Sequence, residues 1–268
     1  MARQSSIALP QGAIDCAWWG PGPNDAPTIV LLHEGLGSVG LWRDFPQALT
    51  EATGCGVFAF SRHGYGQSAP AALPRPLDYL AREGREVVPP VLKAAGIRHA
   101  ILLGHSDGAS IAAAYAGSVQ DFGLLGIILI APHFFTEPHG LAAIAETGTL
   151  YKEGNLRPRL ARHHADPDNA FFGWHDAWRD PGYPMALDLL PDVAHIRVPI
   201  LAIQSEGDPY GTLAQIAELK RHAYCPVETL ILPGTSHAPQ FDNADAVRTT
   251  VQDFTARALH MANLNNNA

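Results

Sequence analysis

The segment Gly104-His105-Ser106-Asp107-Gly108 constrains this chain more than any other. The apolar run Ile101-Leu102-Leu103 precedes it, and the small-residue stretch Ala109–Ala116 follows it. A strand, a sharp turn and a helix are predicted in that order, with a serine at the apex. Such a turn crowds the positions two residues either side of the serine, and glycine at both relieves the clash. The turn lifts the hydroxyl off the end of a sheet. It also sets it beside the free N–H groups of a helix N-terminus. The competing reading is an ordinary strand-to-helix turn, because Gly and Ser are common. The flanking elements favour a nucleophile.

Short apolar runs alternate with helix-like stretches elsewhere in the chain. Strands are predicted at Thr28–Leu32, Gly56–Phe60, Ala100–Leu103, Gly126–Ile130, Ile200–Gln204 and Glu228–Leu232. Helices are predicted near Leu41–Ala52, Leu77–Ala95, Ala109–Ser118, Leu213–His222 and Ala244–Leu259. Continuously apolar strands separated by helices read as an α/β fold with a mainly parallel sheet buried on both faces. Ser6 to Trp19 adds a candidate antiparallel hairpin. The rhythm breaks between Pro132 and Pro199, which holds aromatic and polar clusters but no convincing strand. This interval reads as a helical insertion over the carboxyl ends of the strands, where open α/β sheets bind ligands. The expected division is a core of residues 1–131 and 199–260, an insertion or cap of 132–198, and a disordered tail of 261–268. The low-complexity run Asn263–Asn267 marks that tail.

The chain has 268 residues, enough to bury one large core. Its net charge of −8 argues against nucleic acid as a partner. No run of 18 apolar residues predicts a membrane span, and the first residues lack an apolar signal core. Cys16, Cys55 and Cys225 are odd in number and far apart, which suits free thiols in a cytoplasmic protein. No cofactor and no metal are expected. A monomer or homodimer is the default.

A serine hydroxyl needs a base, and a histidine base needs a carboxylate to fix its tautomer. In a sheet of this kind the partners follow in the order Ser, acid, His, each in a loop after a later strand. Asp208 lies just past the strand that ends near Gln204, and His237 lies past the next strand in Pro233-Gly234-Thr235-Ser236-His237. Glu206 is the competing acid, and Asp208 could equally initiate a turn before Pro209. The oxyanion formed in such chemistry needs preorganised donors. The backbone N–H of Asp107 supplies one, and Gly35, in the loop His33-Glu34-Gly35-Leu36-Gly37-Ser38, is the candidate for the other. That loop also carries a G-x-G-x-x-G spacing from Gly35 to Gly40. A dinucleotide site wants an acid after the next strand, and Arg62 there keeps only an NADP reading alive.

These residues resemble the α/β-hydrolase superfamily over essentially the whole chain. The resemblance rests on His33–Ser38, on Arg62-His63-Gly64-Tyr65-Gly66-Gln67-Ser68 (similar to the family's R-G-x-G-x-S loop), on the elbow, on Gly207-Asp208 and on Ser236-His237. It implies an eight-stranded sheet with a helical cap inserted after the sixth strand. Many relatives carry H-G-x-x-G after the third strand, whereas Glu34 stands in the glycine position here. Glu34 could repel anionic substrates, orient a water, or be anchored by an arginine such as Arg62. The nearest resemblance is to small-ester and aryl-ester hydrolases.

The leading expectation is therefore hydrolysis of small carboxylic esters, aryl or short-acyl, by Ser106, Asp208 and His237. Glu34, Phe134, Phe135, Trp174 and Trp178 are the candidate pocket residues. Packing between insertion and core is the competing reading for each aromatic. A carbon–carbon bond hydrolase of meta-cleavage-type diketones would use the same triad, with Arg157, Arg159, Arg162 or Arg179 meeting a substrate carboxylate. A ligand-holding receptor with little turnover is the reading from another class. His163, His164, Asp166, Asp168 and His175 lack a recognised metal-ligand spacing.

Overall fold

The computed structural model describes residues 2–266. An antiparallel hairpin, β1 (Arg3–Leu9) and β2 (Gly12–Trp19), opens the chain. Six strands follow: β3 (Thr28–Leu32), β4 (Gly56–Phe60), β5 (Ala100–His105), β6 (Leu124–Ile130), β7 (Ile200–Ser205) and β8 (Val227–Leu232). The eight form one sheet in the order β1-β2-β4-β3-β5-β6-β7-β8. The hairpin joins it antiparallel at β4, and every later pairing is parallel. Every residue of β3, β4, β5 and β7 is buried, as the unbroken apolar runs require of strands covered on both faces.

The helices of the core are α1 (Phe45–Thr53), α2 (Tyr79–Arg82), α3 (Val88–Ala94), α4 (Asp107–Ser118), α10 (Leu213–His222), α11 (Pro239–Asp242) and α12 (Ala244–Asn266). One face of the sheet buries Phe45 and Leu49 of α1 with Val247, Val251 and Phe254 of α12. The other packs against α3, α4 and α10, with Ile111, Val91 and Leu219 all fully buried. Five helices fill the interval between β6 and β7: α5 (Pro138–Lys152), α6 (Leu156–Leu160), α7 (Pro167–Arg179), α8 (Tyr183–Ala186) and α9 (Leu190–Val193).

Local chemistry shifted several boundaries. The helix expected from Leu41 starts at Phe45, after a short 3-10 turn at Val39–Trp42, with Pro46 in its first turn. The helix expected over Leu77–Ala95 runs from Tyr79 to Ala94 and winds more widely at Glu83–Val87. There Gly84 presses against α4 so closely that a Cβ would lie 2.8 Å from the Ile111 carbonyl oxygen. A disordered tail was expected from residue 261, yet α12 continues to Asn266 because no Gly or Pro stops it. Residues 267–268 of that expected tail lie outside the described residues. No helix among the described residues is long and apolar enough to cross a membrane.

Candidate active site

The carboxyl ends of β5, β7 and β8 bring Ser106, Asp208 and His237 together. Ser106 takes φ 53°, ψ −117° between β5 and α4, a left-handed conformation that a non-glycine residue adopts only when its surroundings impose it. Those surroundings are glycines at near-contact. A Cβ on Gly104 would lie 2.1 Å from the Gly108 carbonyl oxygen, and one on Gly108 would lie 1.9 Å from that of Leu32. The Ser106 N–H donates to the Ile130 carbonyl at 2.8 Å, which ties the apex to β6.

His237 Nε2 is 3.0 Å from Ser106 Oγ, and its Nδ1 is 2.8 and 2.9 Å from the two Asp208 carboxylate oxygens. A carboxylate can only accept, so Nδ1 carries the proton and Nε2 is left to accept from the serine. Asp208 also accepts from the Tyr210 N–H at 2.8 Å and from Gln204 Nε2 at 3.0 Å. Burial opposes its charge, but His237 and the Tyr210 N–H hold its carboxyl below the ordinary carboxylate range. Glu206, the competing acid, is exposed and makes no side-chain contact with His237.

Gly35 follows β3 on the opposite side of Ser106 from β6. A Cβ there would lie 2.2 Å from Trp174 Nε1, so the glycine lets the indole of α7 close over the loop. The backbone N–H groups of Gly35 and Asp107 engage no acceptor among the described residues. Asp107 turns its side chain inward. Its carboxylate accepts from the Tyr79 hydroxyl and lies 3.9 Å from Arg62 Nη2, while Trp178 Nε1 donates to the same Tyr79 oxygen at 3.0 Å. Burial nevertheless raises the Asp107 carboxyl above its usual value.

Glu34 does not take the arginine suggested for it. Arg62 Nη2 donates to the Glu34 backbone carbonyl at 3.0 Å, and the guanidinium turns under the loop toward Tyr65 and Asp107. The Glu34 carboxylate faces the other way and lies 3.6 Å from His105 Nδ1. Burial works against its charge, yet the hydrogen bond and charge of His105 pull its carboxyl down to about 2.

The four aromatics have separate surroundings. Trp174 covers Gly35, and Trp178 stands edge-on to His133 with ring centroids 5.5 Å apart. Phe134 is fully buried in the core, and Phe135 is half-buried against it. Arg157, Arg159, Arg162 and Arg179 are all exposed, and Arg157 pairs with Asp168 at 2.7 Å. His164 spans two loops by accepting from the Gly66 N–H at 2.9 Å and donating to the Leu36 carbonyl at 3.0 Å. Among the described residues, no three His, Cys, Asp or Glu are grouped to hold a metal. The sequence reading missed His133 and the Tyr79–Asp107 contact. Neither carries a local signal, because each joins elements far apart in the chain.

The elbow, with Asp208 and His237 in the loops after the last two strands, sits at one end of the eight-stranded sheet. A family model described as the alpha/beta hydrolase family matches residues 29–250, and the chain belongs to that family. No curated protein matches the chain. Among solved structures it is similar to the enol-lactonase of Burkholderia xenovorans LB400, at 20% identity over 94% of this chain and 100% of that one, with a TM-score of 0.74. It is also similar to a carboxylesterase of Bacillus subtilis, at 21% identity over 95% and 91%, TM-score 0.71. A third similar structure is E-2-(acetamidomethylene)succinate hydrolase, at 16% identity over 95% and 99%, TM-score 0.72.

Proposed function

We propose that this protein is a serine hydrolase of small carboxylic esters, acting through an acyl-enzyme. The observation that carries the reading is the chain of contacts Ser106 Oγ, His237 Nε2, His237 Nδ1, Asp208, with separations of 3.0 and 2.8 Å. His237 takes the Ser106 proton as Oγ attacks the ester carbonyl, and Asp208 stabilises the imidazolium that forms. The oxyanion is held by the free N–H groups of Gly35 and Asp107, the latter at the positive end of α4. Collapse of the tetrahedral intermediate expels the alcohol, which takes the proton from His237. Water then enters, His237 removes its proton, and the acyl group leaves Ser106 as a carboxylic acid.

The helical insertion acts as the cap. Trp174 over Gly35 and Trp178 beside His133 support an aromatic wall for an aryl or short acyl group. The carboxylesterase and enol-lactonase among the similar structures fit this substrate class. The four exposed arginines of the insertion give the carbon–carbon hydrolase reading no buried cation.

The test is covalent labelling with a fluorophosphonate alongside turnover of p-nitrophenyl acetate. Wild type should label and turn over, Ser106→Ala should do neither, and His237→Ala should label far more slowly. Hydrolysis by Ser106→Ala at the wild-type rate would overturn the reading. Labelling without turnover across a panel of acyl lengths would favour the ligand-holding receptor.

A further inference from the structure

His133 is a buried histidine that the mechanism above does not use. It stands three residues past β6 and is 5% exposed. Its ring lies between the site and the insertion, 5.9 Å from the His237 ring and 5.5 Å from that of Trp178, centroid to centroid. Neither ring nitrogen has a hydrogen-bond partner among the described residues, whereas its backbone is clamped. Ser110 Oγ donates to the His133 carbonyl at 2.6 Å and accepts from its N–H at 3.2 Å. Gln215 secures the next two residues, accepting from the Phe134 N–H at 2.8 Å and donating to the Phe135 carbonyl at 3.0 Å. Ser110 and Gln215 are both fully buried. Two buried polar side chains thus fix this segment, while neither imidazole nitrogen takes a hydrogen bond from it. Gly211 also leaves the ring space, since a Cβ there would lie 3.0 Å from His133 Cε1.

We infer that His133 is a specificity residue that hydrogen-bonds an oxygen substituent on the acyl chain of the substrate. The inference rests on the serine-hydrolase reading and narrows its substrate class to esters oxygenated near the scissile carbonyl. The His133 ring lies 5.9 Å from that of His237, whose Nε2 is 3.0 Å from Ser106 Oγ, so the substrate atoms nearest it are those close to the scissile carbonyl. A 2-hydroxy, 3-hydroxy or 3-oxo acyl group carries an oxygen there. The acyl side fits better than the alcohol side. The alcohol departs in the first half-reaction, while the acyl group stays on Ser106 until the second. Burial, with the neighbouring His237, pulls the His133 pKa down to about 3. The ring therefore stays neutral, one nitrogen donating and the other accepting, which suits a hydroxyl or carbonyl rather than a charged group.

The experiment compares ethyl 3-hydroxybutyrate with ethyl butyrate by titrating released acid, for wild type, His133→Leu and His133→Gln. Fluorophosphonate labelling rates are measured on all three. Wild type should favour the hydroxy ester. His133→Leu should lower kcat/KM for the hydroxy ester about tenfold, mostly through KM, and change ethyl butyrate by less than about threefold. His133→Gln, which keeps a donor and an acceptor, should recover most of that loss. Labelling should match wild type in both variants. Equal losses on the two esters, or none, would overturn the inference while leaving the hydrolase reading intact. A wild type that neither labels nor hydrolyses would overturn both.

Discussion

The Glu34 carboxylate lies 3.6 Å from His105 Nδ1, in the loop that carries Gly35, the proposed oxyanion donor. An unpaired carboxylate there would oppose a developing oxyanion. His105 Nδ1 faces it, and the Nε2 of the same ring donates to the His237 carbonyl at 2.7 Å. One imidazole thus links the oxyanion loop to the loop of the proposed base.

The Glu34 carboxyl drops from 4.5 unfolded to about 2 folded. A depressed carboxyl contributes stability that is present above the unfolded value and is lost as pH falls toward the folded one. Glu34→Gln removes that contribution. The partial exposure of Glu34 limits it to about 2 kcal/mol. Urea midpoints should therefore differ most between wild type and variant above pH 5. They should converge as pH falls from 4.5 toward 2.

His133 gives a second, separate acid window. Its folded pKa of about 3 lies below the unfolded 6.5, so the unfolded chain binds the extra proton first. Stability attributable to the neutral ring is full above 6.5 and declines as pH falls toward 3. His133→Leu cannot titrate. From pH 7 to pH 4, the wild-type unfolding free energy from urea titrations should fall further than that of His133→Leu, by about 2 kcal/mol or more over the interval.

Two glycine substitutions should separate folding from chemistry. Gly108→Ala puts a methyl 1.9 Å from the Leu32 carbonyl oxygen, a backbone atom that cannot swing aside. It should cost about 3 kcal/mol or more in urea unfolding. Gly35→Ala meets the Trp174 indole at 2.2 Å, a side chain that can be displaced. It should fold with a smaller loss, while fluorophosphonate labelling slows about 10- to 100-fold as the donor loop shifts.

Strands β3 to β7 were legible because burial on both faces demands unbroken apolar runs, and Thr28–Leu32 and Gly56–Phe60 match residue for residue. Ser106, Asp208 and His237 were legible because each follows a strand, and strand ends converge in a parallel sheet. Glu34 was readable as an anomaly, but its partner was not. His105 and Arg62 are both near in space, and only the direction of the loop decides which meets the carboxylate. His133 had no signal at all. Nothing in His-Phe-Phe distinguishes a clamped backbone with a free ring from ordinary core packing, because Ser110 and Gln215, which clamp it, lie 23 and 81 residues away from the groups they bind.

Tyr79 joins the insertion to the elbow, and its removal gives the sharpest test of that coupling. Its hydroxyl donates to the Asp107 carboxylate and accepts from Trp178 Nε1 at 3.0 Å. Tyr79→Phe preserves the ring stacked on Tyr183, whose centroid is 6.4 Å away, and removes both bonds. The Asp107 carboxylate, 1% exposed, then loses its hydroxyl donor, with Arg62 still 3.9 Å away. Leaving a buried carboxylate and a buried indole N–H short of a partner should cost about 2–3 kcal/mol in urea unfolding. The Asp107 backbone N–H is a proposed oxyanion donor, so a looser Asp107 should also lower kcat for p-nitrophenyl acetate about tenfold with little change in KM. Replacing Asp107 itself by Asn restores a neutral acceptor and tolerates the missing hydroxyl. The double variant Tyr79→Phe with Asp107→Asn should therefore be more stable than Tyr79→Phe alone. Strictly additive losses in that cycle would show that the two residues are not coupled.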